Sequence, residues 1–320
     1  VTAPHALTAR HHPACYPTDP DKTLEFFQEA FTCYPEAELA SAPSLGKLAG
    51  VVTPHIDFRV SLPSYSAAFQ PLLHVPLADV YLILGVGHRS RLEWNLDRRD
   101  YVTPLGRAEC AADLVDALAD GTPPERRFLA AAHEGEHSIE FPLLWLQALH
   151  RLHPKEGAAE KPVRFIPVLC GALHAYVEGM LDWSELADFH RLSETLADLF
   201  TKMPPASGKL HVIVSIDGCH LGPRFQHPFQ VTPKLLKSIA TWEQELWNHV
   251  AQGDAKKFLA WMCHEGNDRY FDGVGALALL LNAGNLAGGK PFVIQRTYYE
   301  QWFTDRDHSA VTFSSGRVLI

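Results

Sequence analysis

The chain has 320 residues, 47% of them hydrophobic and 20% charged, which is enough to bury a large core in one big domain or two modest ones. A net charge of −9 without any basic stripe argues against a nucleic-acid partner, and no apolar run reaches the roughly 18 residues a membrane span needs. The six cysteines are scattered with no C-x-x-C pair, and Val1-Thr2-Ala3-Pro4-His5 lacks the zones of a signal peptide, so free thiols in a reducing cytoplasmic setting are expected rather than a disulfide framework.

Asp19-Pro20-Asp21 opens a helix with Leu24, Phe27, Ala30 and Phe31 on one face. Ala49–Thr53 reads as a buried strand that stops at Pro54-His55-Ile56-Asp57, and Pro63-Ser64-Tyr65 starts a short helix. Val80–Leu84 is a second buried strand, ending at Gly85-Val86-Gly87-His88. Tyr101–Gly106 reads as strand and turn, and Ala111–Ala119 as a short helix stopped by Asp120-Gly121. Ile139–Leu152 is helical, Val163–Leu169 a strand and Trp183–Phe200 a helix. Leu210–Ile216 is a strand that stops at Asp217-Gly218-Cys219-His220. Thr232-Pro233 caps a helix running to about Val250, and Asp254–Cys263 is another. Asn267–Gly273 leads into the apolar helix Val274–Asn282, and Lys290–Arg296 and Ser309–Phe313 read as closing strands. This alternation predicts a single large α/β domain over residues 1–320, a mostly parallel central sheet with helices on both faces.

Ala131–Glu140 is the densest polar stretch, and His133-Glu134-Gly135-Glu136-His137 matches H-E-x-x-H. On a continuous helix that spacing puts two zinc-binding imidazoles on one face. Gly135 costs about 1 kcal/mol in a helix interior, and Pro142 would cost roughly 3 kcal/mol in a helix already running at His133. A helix that begins near Ser138, with Ser138 as N-cap and Glu140 in the first turn, keeps Pro142 close to the first turn. The match then falls on a loop, and the zinc-protease reading is set aside.

Three strands end in the same way, with a histidine in the short polar segment that follows: His55, His88 and His220. Loops after the carboxyl ends of strands line the ligand crevice of open α/β sheets, so these imidazoles are expected to converge.

Six segments carry a resemblance: Pro54–Phe58, Leu84–His88, Thr103–Gly106, Glu136–Glu140, Ile166–Gly171 and Asp217–Phe225. In this order they resemble the Memo family, also called AmmeMemoRadiSam system protein B, and His12-Pro13-Ala14-Cys15-Tyr16-Pro17 is similar to its N-terminal signature. The resemblance implies a class III extradiol dioxygenase-like fold, with His55 and His88 as metal ligands. A third ligand, usually cysteine in that family, precedes a Leu-Leu-Asn-Ala run. That run is Leu280–Ala283 here, and it places Asp272 at the cysteine's position. Asp272 is then either the third ligand or the N-cap of the following helix. Cys263 and His264 are spare candidates.

Two imidazoles and a carboxylate suit Fe(II), with copper or zinc as other occupants. The resemblance further implies that His137 and His220 handle protons and bound oxygen beside the metal, with Asp217 orienting His220. Glu136 and Glu140 read as helix-start and loop-positioning residues. Asp57 and Arg59 either line the pocket or pair at the surface, and Tyr65, Trp302 and Phe303 are candidate pocket aromatics. The implied activity is Fe(II)-dependent dioxygenation of a catechol-like substrate with O₂. The alternative is a non-catalytic metal-binding Memo-like protein with a redox or signalling role.

Overall fold

The computed structural model describes residues 6–11, 14–35, 46–90, 92–120, 122, 127–153, 161–205, 207–288 and 291–320. In chain order the described strands are β1 (Leu7–Thr8), β2 (Leu48–Thr53), β3 (Val80–Val86), β4 (Trp94–Leu96), β5 (Tyr101–Thr103), β6 (Gly106–Cys110), β7 (Arg164–Cys170), β8 (Leu210–Ser215), β9 (His220–Leu221), β10 (Val293–Thr304) and β11 (Ser309–Leu319). The described helices are α1 (Pro20–Ala30), α2 (Leu62–Phe69), α3 (Ala112–Ala119), α4 (His137–Leu152), α5 (His174–Val177), α6 (Ala187–Lys202), α7 (Pro233–Ala251), α8 (Ala255–Glu265) and α9 (Val274–Leu286).

All strands belong to one sheet in the order β1-β5-β6-β7-β3-β8-β2-β11-β10, with β4 on β7 and β9 on β11. The block β6-β7-β3-β8-β2 is parallel throughout, whereas β11 and β10 form an antiparallel hairpin at one edge. The expected α/β domain is therefore present. Its closing strands are longer than Lys290–Arg296 and Ser309–Phe313 suggest. The hairpin pairing runs from Val293↔Leu319 to Thr304↔Ser309 across Tyr298–Phe303, where aromatic and polar residues come in consecutive pairs and give no two-residue alternation to read. Lys290 itself lies outside the described residues.

The central strands are continuous apolar runs because both faces of the sheet are covered. Side chains alternate between the two faces with the two-residue strand period. Tyr81 and Ile83 of β3 enter the core that holds Phe27 of α1, Tyr65 of α2 and Trp145 of α4. Val80, Leu82 and Leu84 enter the opposite core, with Leu192 of α6 and Leu277 of α9. Trp145 anchors the first face, stacked on Tyr65 and Phe69 and edge-on to Phe27 and Phe31.

Helix α4 begins at His137, next to the expected start, but its N-cap is Glu136 rather than Ser138, and the Glu136 carboxylate accepts the Ser138 N–H. Pro142 consequently lies in the second turn, two residues deeper than a Ser138 cap would place it. The Ser138 hydroxyl is engaged elsewhere: it donates to the Val86 carbonyl at 2.9 Å and accepts the Val86 N–H at 3.1 Å. This bond pair stitches the helix start to the end of β3. The approach leaves no room for a side chain at residue 85, where a Cβ would sit 2.7 Å from Ser138 Oγ; hence Gly85.

Candidate metal centre

Strands β3, β8 and β2 are neighbours in the sheet and run the same way, so their carboxyl ends lie together. The segments that follow deliver His88, Asp217 and His55. The start of α4 adds His137, β9 adds His220, and the segment before α9 adds Asp272.

His55 is buried, and its Nδ1 lies 3.2 Å from the Ser215 carbonyl. A carbonyl only accepts, so Nδ1 carries a proton, and the neutral ring presents its lone pair at Nε2. That Nε2 is buried with no hydrogen-bond partner, 3.2 Å from Asp272 Oδ2 and 3.8 Å from Asp217 Oδ2. His88 is set in the same way by a carboxylate, with Nδ1 2.9 Å from Glu136 Oε1. His137 Nδ1 lies 3.3 Å from that oxygen. Ring centroids are 5.0 Å apart for His55–His88, 5.1 Å for His55–His137 and 4.7 Å for His88–His137. One ligand-type nitrogen from each of these three histidines falls within 4.8 Å of the others. His137, expected beside the metal, is thus as close to the cluster as the two expected ligands.

Asp272 does not cap α9. The cap position is Gly273, no side chain bonds there, and both Asp272 oxygens are buried without a hydrogen-bond partner. Asp217 departs from its expected task of orienting His220. Its Oδ1 accepts the backbone N–H of His55 at 2.9 Å and of Ile56 at 3.1 Å, fixing the segment that carries His55. His220 is oriented by the Tyr270 carbonyl, 3.1 Å from its Nδ1, which leaves Nε2 as the basic atom.

The electrostatics of the group favour a positive charge beside Asp217 and Asp272, met either by a proton on His55 or by a metal cation. Burial disfavours a charged His55, yet the carboxylates of Asp217 and Asp272 outweigh it and raise its pKa to about 9. Burial, then the neighbouring His55 and His88, push His137 down to about 2. Burial works against ionisation of Glu136, but the bond from His88 prevails and holds it at about 2. Asp272 is likewise lowered against its burial, chiefly by His55, while burial raises Asp217.

A cavity of about 460 Å³ opens over the cluster, lined by His55, His88, His137, Asp217 and His220, with Phe141, Phe225 and Trp302 among its apolar walls. A second cavity, of about 730 Å³, shares His88 and reaches Asp272. Of the expected aromatics, only Trp302 lines the cavity over the cluster. Tyr65 is held in the core, its hydroxyl donating to the Ile56 carbonyl at 2.6 Å, and Phe303 packs toward His308. Asp57 and Arg59 do both things expected of them, lining the cavity and pairing at 2.5 Å.

His11, Cys15 and Arg224 line the cavity without having been singled out. Cys15 was within reach through the N-terminal signature; His12 and Pro13 of that signature lie outside the described residues. Cys263 stands apart on α8, its thiol toward the Tyr176 carbonyl. His133 is buried against the Asn95 carbonyl, and Gly135 at φ 67° breaks the H-E-x-x-H stretch before the helix starts, so no zinc-protease face forms.

A sequence profile described as Memo-like protein matches residues 8–316. The chain belongs to the Memo-like family. A MEMO1 family protein of Aquifex aeolicus (strain VF5) is 25% identical over 224 residues, covering 70% of this chain and 51% of that protein. This Memo-like chain therefore spans about half the length of that curated relative. No helix among its described residues is long and apolar enough to cross a membrane.

Proposed function

We propose that this Memo-like chain is a mononuclear non-haem Fe(II) dioxygenase acting on a catechol-like aromatic substrate, with His55, His88 and Asp272 holding the metal. The observation that carries the reading is the facing of two buried acceptors, His55 Nε2 and Asp272 Oδ2, at 3.2 Å with no hydrogen-bond donor between them. Only a proton or a metal cation satisfies both, and the second nitrogens of His55 and His88 are tied to a carbonyl and a carboxylate, as metal-binding imidazoles commonly are. Two nitrogens and one carboxylate form the donor set of the facial Fe(II) oxygenases, harder than a thiolate site for copper(I) or zinc. Iron in this place would supply charge stabilisation and open positions for a diol and O₂.

The protein's own groups do the rest. His220 Nε2, left basic by the Tyr270 carbonyl, takes a proton from a catechol hydroxyl. His137, held neutral, is a second imidazole at the cluster, able to steady a polar oxygen by hydrogen bonding. Phe141, Phe225 and Trp302 give the cavity the apolar walls an aromatic ring needs.

The test is anaerobic loading with Fe(II), followed by oxygen uptake and absorbance traces with a panel of catechols. Oxygen consumption matched to a ring-opened, light-absorbing product is expected. Tight iron binding with no oxygen uptake from any catechol would leave the non-catalytic metal-binding reading in its place.

A further inference from the structure

We infer that Asn267 is the positioning residue of the site, fixing Asp272 and His220 through the loop that leads into Asp272 and hydrogen-bonds His220. The inference rests on the assignment of Asp272 as a metal ligand. Helix α8 ends at Gly266 in the left-handed conformation (φ 71°), and the next six residues reach Asp272 along an unusual backbone. Asn267 and Tyr270 both have φ 49°. Asparagine tolerates that region better than most residues, whereas a tyrosine there is held by its surroundings.

Asn267 supplies that hold. It is buried, its Oδ1 accepts the Phe271 N–H at 2.9 Å, and its Nδ2 donates to the Phe271 carbonyl at 3.0 Å. Both polar groups of the residue preceding Asp272 are therefore clamped by one side chain, and the Tyr270 N–H closes on the Asn267 carbonyl at 2.9 Å. Carbonyls of the same loop hold the other functional group. Arg269 accepts the His220 backbone N–H at 2.9 Å, and Tyr270 accepts His220 Nδ1–H at 3.1 Å. His227 adds an outer tie, its Nε2 2.8 Å from the Asp268 carbonyl. The loop is thus set before any metal arrives. The Asp272 carboxylate, which faces His55 Nε2 and has no other side-chain tie among the described residues, owes its place to the backbone on either side.

The experiment is anaerobic Fe(II) titration of the apoprotein against a chromogenic chelator, for wild type, Asn267→Gly, Asn267→Ala, Asp272→Ala and the Asn267→Gly/Asp272→Ala double variant. Glycine adopts φ 49° freely, so Asn267→Gly removes the side-chain bonds without adding backbone strain, and it remains informative if Asn267→Ala fails to fold. Asn267→Gly is expected to weaken iron binding roughly 10- to 100-fold, the usual effect of losing a ligand's support. On the Asp272→Ala background the same substitution is expected to cost nothing further. Wild-type affinity in Asn267→Gly, or an equal loss on both backgrounds, would overturn the positioning role. Unchanged affinity in Asp272→Ala alone would overturn the ligand assignment and this inference with it.

Discussion

Glu136 Oε1 accepts the Nδ1–H of His88 at 2.9 Å and the backbone N–H of Ser138 at 3.1 Å, so one buried carboxylate both caps α4 and fixes an imidazole of the cluster. The two tasks separate by substitution. Glu136→Gln keeps an acceptor oxygen but removes the charge that makes His88 a stronger donor. Fe(II) affinity is expected to fall roughly 10- to 100-fold with little change in thermal stability. Glu136→Ala also removes the cap, at about 1 kcal/mol. Chelator-competition titrations and thermal melts on both variants check this, and wild-type iron affinity in Glu136→Gln would show that His88 does not need the bond.

The parts of this site that could be read from the chain are those set by local pattern. β2, β3 and β8 are continuous apolar runs, so their ends, and His55, His88 and Asp217 just beyond them, stand out. What could not be read is set by contacts distant in sequence. The cap of α4 is Glu136 and not Ser138, because the Ser138 hydroxyl is taken by Val86 in β3. The task of Asp217 depends on β8 lying beside β2, which brings the His55 and Ile56 N–H groups to its carboxylate. The wall formed by His11 and Cys15 depends on a carboxylate more than a hundred residues away, Glu140.

Asp272 gives the most direct test of metal choice. Asp272→Ala removes the only carboxylate lying 3.2 Å from His55 Nε2 among the described residues, and it is expected to abolish stoichiometric Fe(II) binding. Asp272→Cys replaces a hard oxygen with a soft thiolate and is expected to favour zinc or copper(I) over Fe(II). Competitive loading followed by metal analysis reads both outcomes. Full Fe(II) binding in Asp272→Ala would move the third ligand to His137.

Glu140 is the anchor of the N-terminal wall. Its Oε2 accepts from Arg10 N at 2.8 Å and the Tyr101 hydroxyl at 3.0 Å, and its Oε1 from His11 N at 3.1 Å and the Tyr16 hydroxyl at 2.6 Å. In Glu140→Gln the amide turns an NH₂ toward two of these four donors. A loss of about 3 kcal/mol is expected, since bonds to a buried charged acceptor are strong and their donors are left unsatisfied. Urea unfolding measures the loss. Limited proteolysis should show earlier cleavage near Arg10, and an unchanged digest would mean that the segment is held by other contacts.

Three histidines away from the cluster make the fold acid-sensitive. His133, His150 and His211 are buried, and burial is the main cause of each pKa falling from 6.5 to about 4. Between those values the unfolded chain takes up protons that the folded chain refuses. Stability from these groups is therefore complete above about pH 6.5 and is lost as pH falls toward about 4. Each contributes about 2 kcal/mol of the change between pH 7.5 and pH 5. His211 lies in β8 beside Tyr81, with no charged neighbour shifting it, so it isolates the effect. Urea-unfolding free energies at the two pH values are expected to converge in His211→Leu relative to wild type. An equally steep pH dependence in that variant would mean that His211 is not kept neutral by the core.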